Sequence, residues 1–207
     1  MALSKAQISK NHIVKTAFIL FLEKGYKDIT INNIVKASGF SKGAIYHHFA
    51  SKEAIYYATL DTYYFDLLKN EKIQFLSGDF KNDIKNLYKY ICQIFSQIEN
   101  LTADKLKYPI RNFFSYQLES ELNAEIRNQT YETVLFYRSE VLKIVSAAKT
   151  NKQIKQDIDS KAISFQILGI IEGLAINNST LEKDVETKLL VQYDYVFNSF
   201  FKLICIE

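Results

Sequence analysis

Apolar residues recur at helical spacing between Ile8 and Lys24. Four of them follow the i, i+4, i+7, i+8 pattern that places side chains on one face of a helix. These positions are Ile13, Ala17, Leu20 and Phe21. Gly25 follows, and glycine adopts the left-handed conformation that commonly ends a helix. The pattern predicts a first amphipathic helix over about residues 8–24.

Two shorter helices are predicted next, joined by a glycine turn. Thr30 is a suitable N-cap for the first of them, with Ile29 and Ile34 at the two positions of a hydrophobic staple. Gly39 then lets the chain turn sharply, and Ser41 is placed to cap the following helix. This spacing predicts a helix-turn-helix.

The third helix is predicted to have an inward and an outward face. Ile45 and Phe49 lie about one turn apart and are expected to face the interior. The outward set is then Lys42, Gly43, Tyr46 and His47. Cationic, aromatic and small residues of this kind suit a phosphate backbone and base edges. Ser51 is expected to cap a fourth helix, whose first turn carries Lys52 beside amides that can meet a phosphate.

Longer helices are predicted behind this head. The fourth helix runs to about Leu76, where the turn at residues 77–79 ends it, and it links head to body. Further helices are predicted at about 80–99, 103–116, 119–149, 159–178 and 184–205. Pro109 marks a start or a kink, because it cannot donate the helical hydrogen bond. We therefore expect an all-α protein with a DNA-binding head at residues 1–50 and a helical body at residues 51–207.

The last two predicted helices are apolar on more than one side. Their candidate interface residues are Ile163, Ile167, Ile170, Ile171, Leu174, Tyr193, Phe197, Phe200 and Phe201. Gly169 and Gly173 form a small-xxx-small pair, which permits close helix approach. We expect both helices to pair with their copies in a two-fold homodimer. The alternative is an ordinary buried hairpin within one subunit.

Charge is distributed unevenly along the chain. Residues 1–55 hold eight lysines and three acidic residues, a net charge of +5, whereas the whole chain carries +3. All three histidines also lie within the first 50 residues. Such a distribution is typical of a nucleic-acid-binding head, although a solvated basic face has the same signature.

Composition argues against several other classes of protein. Cys92 and Cys205 stand alone, so neither a zinc site nor a disulfide framework is indicated. The longest apolar stretch, Ile163–Ile176, contains polar residues and falls short of the roughly 20 residues that a membrane span needs. The N-terminus has no apolar signal core. We expect a cytoplasmic protein with no metal, no cofactor and no membrane partner.

The segment Thr30–Glu53, TINNIVKASGFSKGAIYHHFASKE, resembles the helix-turn-helix signature of TetR-type (TetR/AcrR) transcriptional regulators. The resemblance includes the cap threonine, the turn glycine, the Ser-Lys-Gly opening of the third helix and its Tyr-His-His-Phe end. With the first helix, it covers about the first quarter of the chain. One departure is Ala44, where many relatives have a hydroxyl residue, so one polar contact to DNA is expected to be missing here.

The resemblance implies roles for particular residues of the head. Thr30, Lys42, Tyr46 and Lys52 would hold DNA phosphates, and Gly43 would admit close backbone approach. His47 and the start of the third helix, including Ser41, would face the bases. For His47 the alternative is a solvated surface histidine.

Aromatic residues are frequent between residues 80 and 178, where the family implies a ligand cavity. The candidate lining residues are Tyr88, Tyr108, Phe113, Tyr116, Tyr131, Phe136 and Phe165. Arg111, Arg127 or Arg138 would be available to an anionic group of a ligand. Core packing is the alternative for the aromatic residues, and surface ion pairs for the arginines.

Catalytic interpretations find little support. Residues 39–43 fit the G-x-S-x-G nucleophile elbow formally, but that motif needs a preceding strand and a later His, and no His follows His48. His47 and His48 are adjacent, unlike the i, i+4 pair of a helical metal site.

Together with these patterns, the resemblance to TetR-type regulators implies a non-enzymatic dimeric repressor that a small hydrophobic or aromatic ligand releases from a palindromic, double-stranded operator. The alternative is the same fold acting through a protein partner, or as a broad DNA binder, without small-molecule control.

Overall fold

The computed structural model describes residues 4–68, 75–102, 105–119 and 124–206. Within these ranges the regular structure is helical, apart from one isolated antiparallel bridge between Ile154 and Cys205. The all-α prediction is confirmed.

Four helices form the head and its connection to the body. They are α1 (Lys5–Asp28), α2 (Ile31–Ser38), α3 (Lys42–His48) and α4 (Lys52–Leu60). Gly25 interrupts α1 at φ 78° and ψ 160°, so the predicted glycine break is present, although helical residues follow it.

The fourth helix is shorter than predicted. A π-helical turn, Asp61–Phe65, and α5 (Asp66–Leu68) continue it. Residues 69–74 lie outside the described part of the chain, and residues 75 and 76 are not helical. The chain turns here because the buried Asp83 carboxylate accepts the backbone N–H of Ser77 at 2.7 Å.

Five helices form the rest of the body. They are α6 (Phe80–Thr102), α7 (Pro109–Glu119), α8 (Ala124–Thr150), α9 (Ser160–Asn177) and α10 (Val185–Ile204). Helix α7 begins at its proline, where the missing N–H costs nothing, rather than at residue 103 as predicted. Residues 103–104 and 120–123 of the predicted helices lie outside the described residues.

Head and body share one hydrophobic core. Ile13, Ile34 and Ile45 are fully buried within the head. The Phe18 ring of α1 stacks on Tyr63 with centroids 4.5 Å apart and meets the edge of Tyr116 on α7 at 5.4 Å. The head is therefore positioned by direct packing against the body, not by a free linker.

Candidate nucleic-acid interface and body cavity

Side-chain caps and one glycine define the geometry of the helix-turn-helix. The Thr30 hydroxyl accepts the backbone N–H of Asn33 at 3.3 Å, and the Asn33 side chain accepts that of Thr30 at 2.8 Å. Gly39 ends α2 with φ 74°, a left-handed conformation that favours glycine. Ser41 and Ser51 then cap α3 and α4, each accepting a backbone N–H at 3.1 Å. The predicted caps are confirmed.

Helix α3 is amphipathic in the predicted sense. Ile45 and Phe49, at its inner side, are 0% and 6% exposed. All four members of the outward set, Lys42, Gly43, Tyr46 and His47, are exposed. The Lys42 ammonium lies 6.0 Å from the centre of the Tyr46 ring, so a cation and an aromatic side chain lie side by side on this face. A Cβ built on Gly43 would meet only the Ser41 hydroxyl, at 3.9 Å, so the surface there is open to a close neighbour.

Lys52 points inward in this structure. Its ammonium donates to the carbonyl oxygens of Tyr26 and Ile29, both at 2.8 Å, and lies 4.0 Å from the centre of the Tyr26 ring. Burial lowers the pKa of Lys52, and the nearby Asp28 carboxylate partly offsets this. The side chain for which the family resemblance implies a phosphate contact thus connects α4 to the last turn of α1 and to Ile29, which follows that helix.

A cavity of about 640 Å³ lies in the body, between α6, α7, α8 and α9. Its aromatic lining residues are Tyr64, Phe95, Phe113, Phe114, Tyr137 and Phe165. Most of the remaining wall is aliphatic, and an apolar wall with few polar groups is usual for small-molecule sites.

Two of the seven predicted aromatic residues, Phe113 and Phe165, line this cavity. Tyr88 is buried in the core, where it stacks on Tyr193 and Phe197. Tyr108 and Tyr116 line a separate cleft, and Tyr131 and Phe136 line neither space. Sequence reasoning missed Tyr64, Phe95, Phe114 and Tyr137, because helical periodicity does not distinguish a cavity wall from a core.

Three charged side chains belong to the cavity wall. Arg111 and Arg138 line it as the sequence allowed, whereas Arg127 does not. The Arg138 guanidinium lies 5.2 Å from the centre of the Phe165 ring. The Glu172 side chain is exposed to solvent in part. Burial of its carboxyl group nevertheless raises the pKa of Glu172, and the positive charge of Arg138 opposes that rise.

Helix α7 contacts the cavity on one side and the head on the other. Phe113, Phe114 and Gln117 line the cavity. The Asn112 amide donates to the carbonyl of Leu22 in α1 at 2.8 Å. The fully buried hydroxyls of Tyr116 and Thr59 lie 2.8 Å apart and join α7 to α4. A displacement of α7 would therefore disturb both helices of the head that it contacts.

Two tyrosines of the body hold the end of the helix that leaves the head. The Tyr137 hydroxyl donates to the carbonyl of Leu68 at 2.7 Å, and the Tyr90 hydroxyl donates to that of Leu67. Tyr137 and Leu68 both line the cavity, so a ligand there would contact the hydrogen bond that joins α8 to α5. This is a second contact between the cavity and the end of the helix that leaves the head.

Most of the candidate dimer residues lie inside the single subunit that the structure describes. Six of the nine are buried in the core of their own subunit, because α10 packs mainly on α6 and α9 mainly on α8. These six are Ile163, Ile167, Ile171, Tyr193, Phe197 and Phe201. The other three, Ile170, Leu174 and Phe200, are half-buried. The exposed apolar residues of this region are instead Phe165, Ile176, Val191, Tyr195, Leu203 and Ile206.

The described part of the chain contains neither a metal-binding cluster nor a helix that could span a membrane. No three His, Cys, Asp or Glu side chains there are grouped as a metal ion would need. No described helix is long and apolar enough to cross a membrane. Ser41 of the G-x-S-x-G match lies between two helices, so the strand that a nucleophile elbow needs is not present before it.

Comparison with known proteins agrees with this geometry. Residues 13–59 match the family model described as bacterial regulatory proteins, tetR family. The biofilm operon icaADBC HTH-type negative transcriptional regulator IcaR of Staphylococcus aureus strain Newman is 28% identical over 158 residues, which span 75% of this chain and 79% of IcaR.

Solved structures show the same fold over the whole chain. A TetR-family regulator from Cytophaga hutchinsonii superposes with a TM-score of 0.61 at 21% identity, covering 100% of both chains. The ketosteroid transcriptional regulator KstR2 of Mycobacterium tuberculosis superposes with a TM-score of 0.69 at 15% identity, covering 100% of this chain and 98% of its own.

Proposed function

We propose that this chain, which belongs to the TetR family of bacterial regulatory proteins, represses transcription as a homodimer that a small hydrophobic molecule releases from a palindromic operator. The observation that carries the DNA-binding part is the outer face of α3. Ile45 and Phe49 hold one side of the helix in the core, while Lys42, Tyr46 and His47 stay exposed on the other.

We assign a role in DNA binding to each exposed residue of this face from the chemistry of its side chain. The Lys42 ammonium pairs with a phosphate as a point charge, and the Tyr46 hydroxyl donates to a second phosphate oxygen. His47 faces base edges, and Gly43 lets the sugar-phosphate backbone approach closely. Because each phosphate contact releases counterions, operator affinity should fall steeply as salt rises.

The test is selection of genomic binding sites with the purified protein, followed by footprinting of the selected sequence. A sharp palindromic footprint supports the proposal, whereas uniform weak protection indicates a broad DNA binder. Lys42→Ala and Tyr46→Ala should each weaken binding to the selected site. Lys89→Ala, which removes an exposed lysine of α6 in the body, is the matched control and should leave affinity unchanged. If all three variants bind alike, α3 is not the DNA-reading element.

Dimerisation is proposed through the outer face of α9 and α10. Gly173 has open space where a side chain would stand and does not line the body cavity, so a second helix can approach closely there. Tyr195, which is 81% exposed, and Leu203 offer apolar surface on the neighbouring helix. Two-fold symmetry would present α3 twice, at a spacing of about one DNA turn or a multiple of it. Light scattering coupled to size exclusion tests this directly, and only monomer at micromolar concentration would contradict it.

Ligand control is proposed through the body cavity and α7. The ligand must bind better to a form of the body in which the two heads no longer fit the operator, since only differential affinity shifts a population. Its apolar part would fill the aromatic cavity, and α7 would carry the displacement to α1 and α4. A screen for compounds that both raise the melting temperature and lower operator affinity tests this. If the screen finds no compound with both effects while the protein still represses its target in cells, control by a protein partner is favoured.

A further inference from the structure

A second cleft, of about 420 Å³, lies where the head meets the body. One wall is the end of α1, at residues 21–25, and the other is residues 105–108 with the first turns of α7. This cleft is distinct from the body cavity, although Arg111 and Ser115 contribute to both.

The charged residues that line the cleft are mainly cations. Lys24, Lys105, Lys107 and Arg111 line it, against one carboxylate, that of Glu23. The Lys107 ammonium pairs with Glu182, outside the lining, at 3.3 Å. Among the described residues, the other three cations have no carboxylate within ion-pair distance. Their charge is available to a bound anion.

The remaining lining suits a small organic group attached to that anion. The Tyr108 ring is flanked by Lys107, 5.2 Å from its centre, and by Arg111, at 5.9 Å. Leu22 and Leu106 add apolar surface, and Ser115 adds an exposed hydroxyl. A volume of about 420 Å³ lies within the usual range for small-molecule sites.

We propose that this cleft binds a small phosphorylated molecule, with its phosphate among Lys24, Lys105 and Arg111 and its organic part against Tyr108. Lysine and arginine are the side chains that proteins use for phosphate groups. The Asn112–Leu22 hydrogen bond spans the same two walls, so an occupant would strengthen the present arrangement of α1 and α7. This cleft is a different site from the body cavity proposed for the effector. Because its occupancy is measured without DNA, the test does not depend on the proposed repressor function.

Calorimetric titration of the full chain with inorganic pyrophosphate, at constant ionic strength, tests the site. We expect one saturable site per chain. The double variant Lys24→Gln with Lys105→Gln removes two cations that line only this cleft, and should weaken binding about tenfold. The matched control, Lys89→Gln with Lys161→Gln, removes two exposed lysines from outside it and should bind as the wild type.

Hydrogen exchange with and without pyrophosphate locates the occupied surface. Slower exchange confined to residues 21–25 and 105–112 supports the proposal. Slower exchange confined to α2 and α3 would overturn it, because the anion would then occupy the DNA-binding face. A titration in which the heat does not saturate would also overturn the proposal, and so would an equal loss of affinity in both double variants. Either result would indicate non-specific attraction of the anion to positive charge.

Discussion

The inward geometry of Lys52 makes a prediction that separates stability from DNA binding. Lys52→Met keeps much of the apolar stem and removes the ammonium. In the wild type, the carbonyl oxygens of Tyr26 and Ile29 each lie 2.8 Å from the Lys52 ammonium. The substitution leaves both carbonyls without this shared donor. It also removes the contact with the Tyr26 ring at 4.0 Å.

The expected cost follows from these three contacts. A hydrogen bond to a charged group contributes about 1.5–3 kcal/mol when buried, and about 1 kcal/mol is reasonable for each here, because Lys52 is only half-buried and water can replace it. The cation–π contact adds about 0.5–1 kcal/mol. Removing a cation from the first turn of α4 returns about 0.5 kcal/mol. The net loss in the free energy of unfolding is therefore about 2 kcal/mol.

Urea unfolding at one fixed protein concentration measures this loss. With a slope of about 2 kcal/mol per molar urea, the midpoint should fall by about 1 M. Lys42→Met is the control: its ammonium has no hydrogen bond among the described residues, so its midpoint should stay close to that of the wild type while operator affinity falls. If Lys52→Met keeps the wild-type midpoint and loses only operator affinity, the ammonium is free to meet phosphate and the inward geometry is wrong.

Three further predictions test the cavity, the contact between α7 and α4, and the dimer. Burial raises the pKa of Glu172 against the pull of Arg138, so the folded state binds this proton more tightly than the unfolded state. Stability should therefore fall as the pH rises above the ordinary value of 4.5, and Glu172→Gln should remove that part of the dependence in urea titrations; an unchanged profile would contradict it. Tyr116→Phe and Thr59→Val should show a coupling of about 1 kcal/mol in a double-mutant cycle, and strictly additive losses would mean that the hydroxyl pair contributes nothing. Gly173→Leu meets open space within the subunit and should leave the monomer folded while light scattering shows the dimer lost; a persistent dimer would place the interface elsewhere.

The head was predictable from sequence because its signals are local. Thr30, Ser41 and Ser51 each cap a helix through an N–H three residues ahead, and Gly39 ends α2 through its own backbone conformation. Such signals need no knowledge of distant neighbours. The outward position of Lys42 was also predictable from the local sequence, because α3 has only seven residues and its inner positions are apolar.

The body was less predictable because its outcome depends on which helices meet. Apolar periodicity in α10 indicated buried faces, but not that Tyr193 and Phe197 would stack on Tyr88 of α6 in the same subunit. The direction of Lys52 was missed for a related reason. Its acceptors, the carbonyls of Tyr26 and Ile29, lie more than twenty residues earlier in the chain, and a motif read along the sequence does not show them.

The contacts of α7 set the smallest preference that a ligand must have in order to displace this helix. Among the described residues, two side-chain hydrogen bonds connect this helix to α1 and α4, Asn112 with Leu22 and Tyr116 with Thr59, and each contributes about 1 kcal/mol. Breaking both costs about 2 kcal/mol, so a ligand that displaces α7 must prefer the displaced form by at least that amount, or about thirtyfold in affinity. Under the proposed ligand control, a cavity of about 640 Å³ with mostly apolar walls would supply such a preference by burying roughly 80 Å² more apolar ligand surface in one form than in the other. That area is a small part of a ligand's surface, so the proposal requires only a modest change in the shape of the cavity.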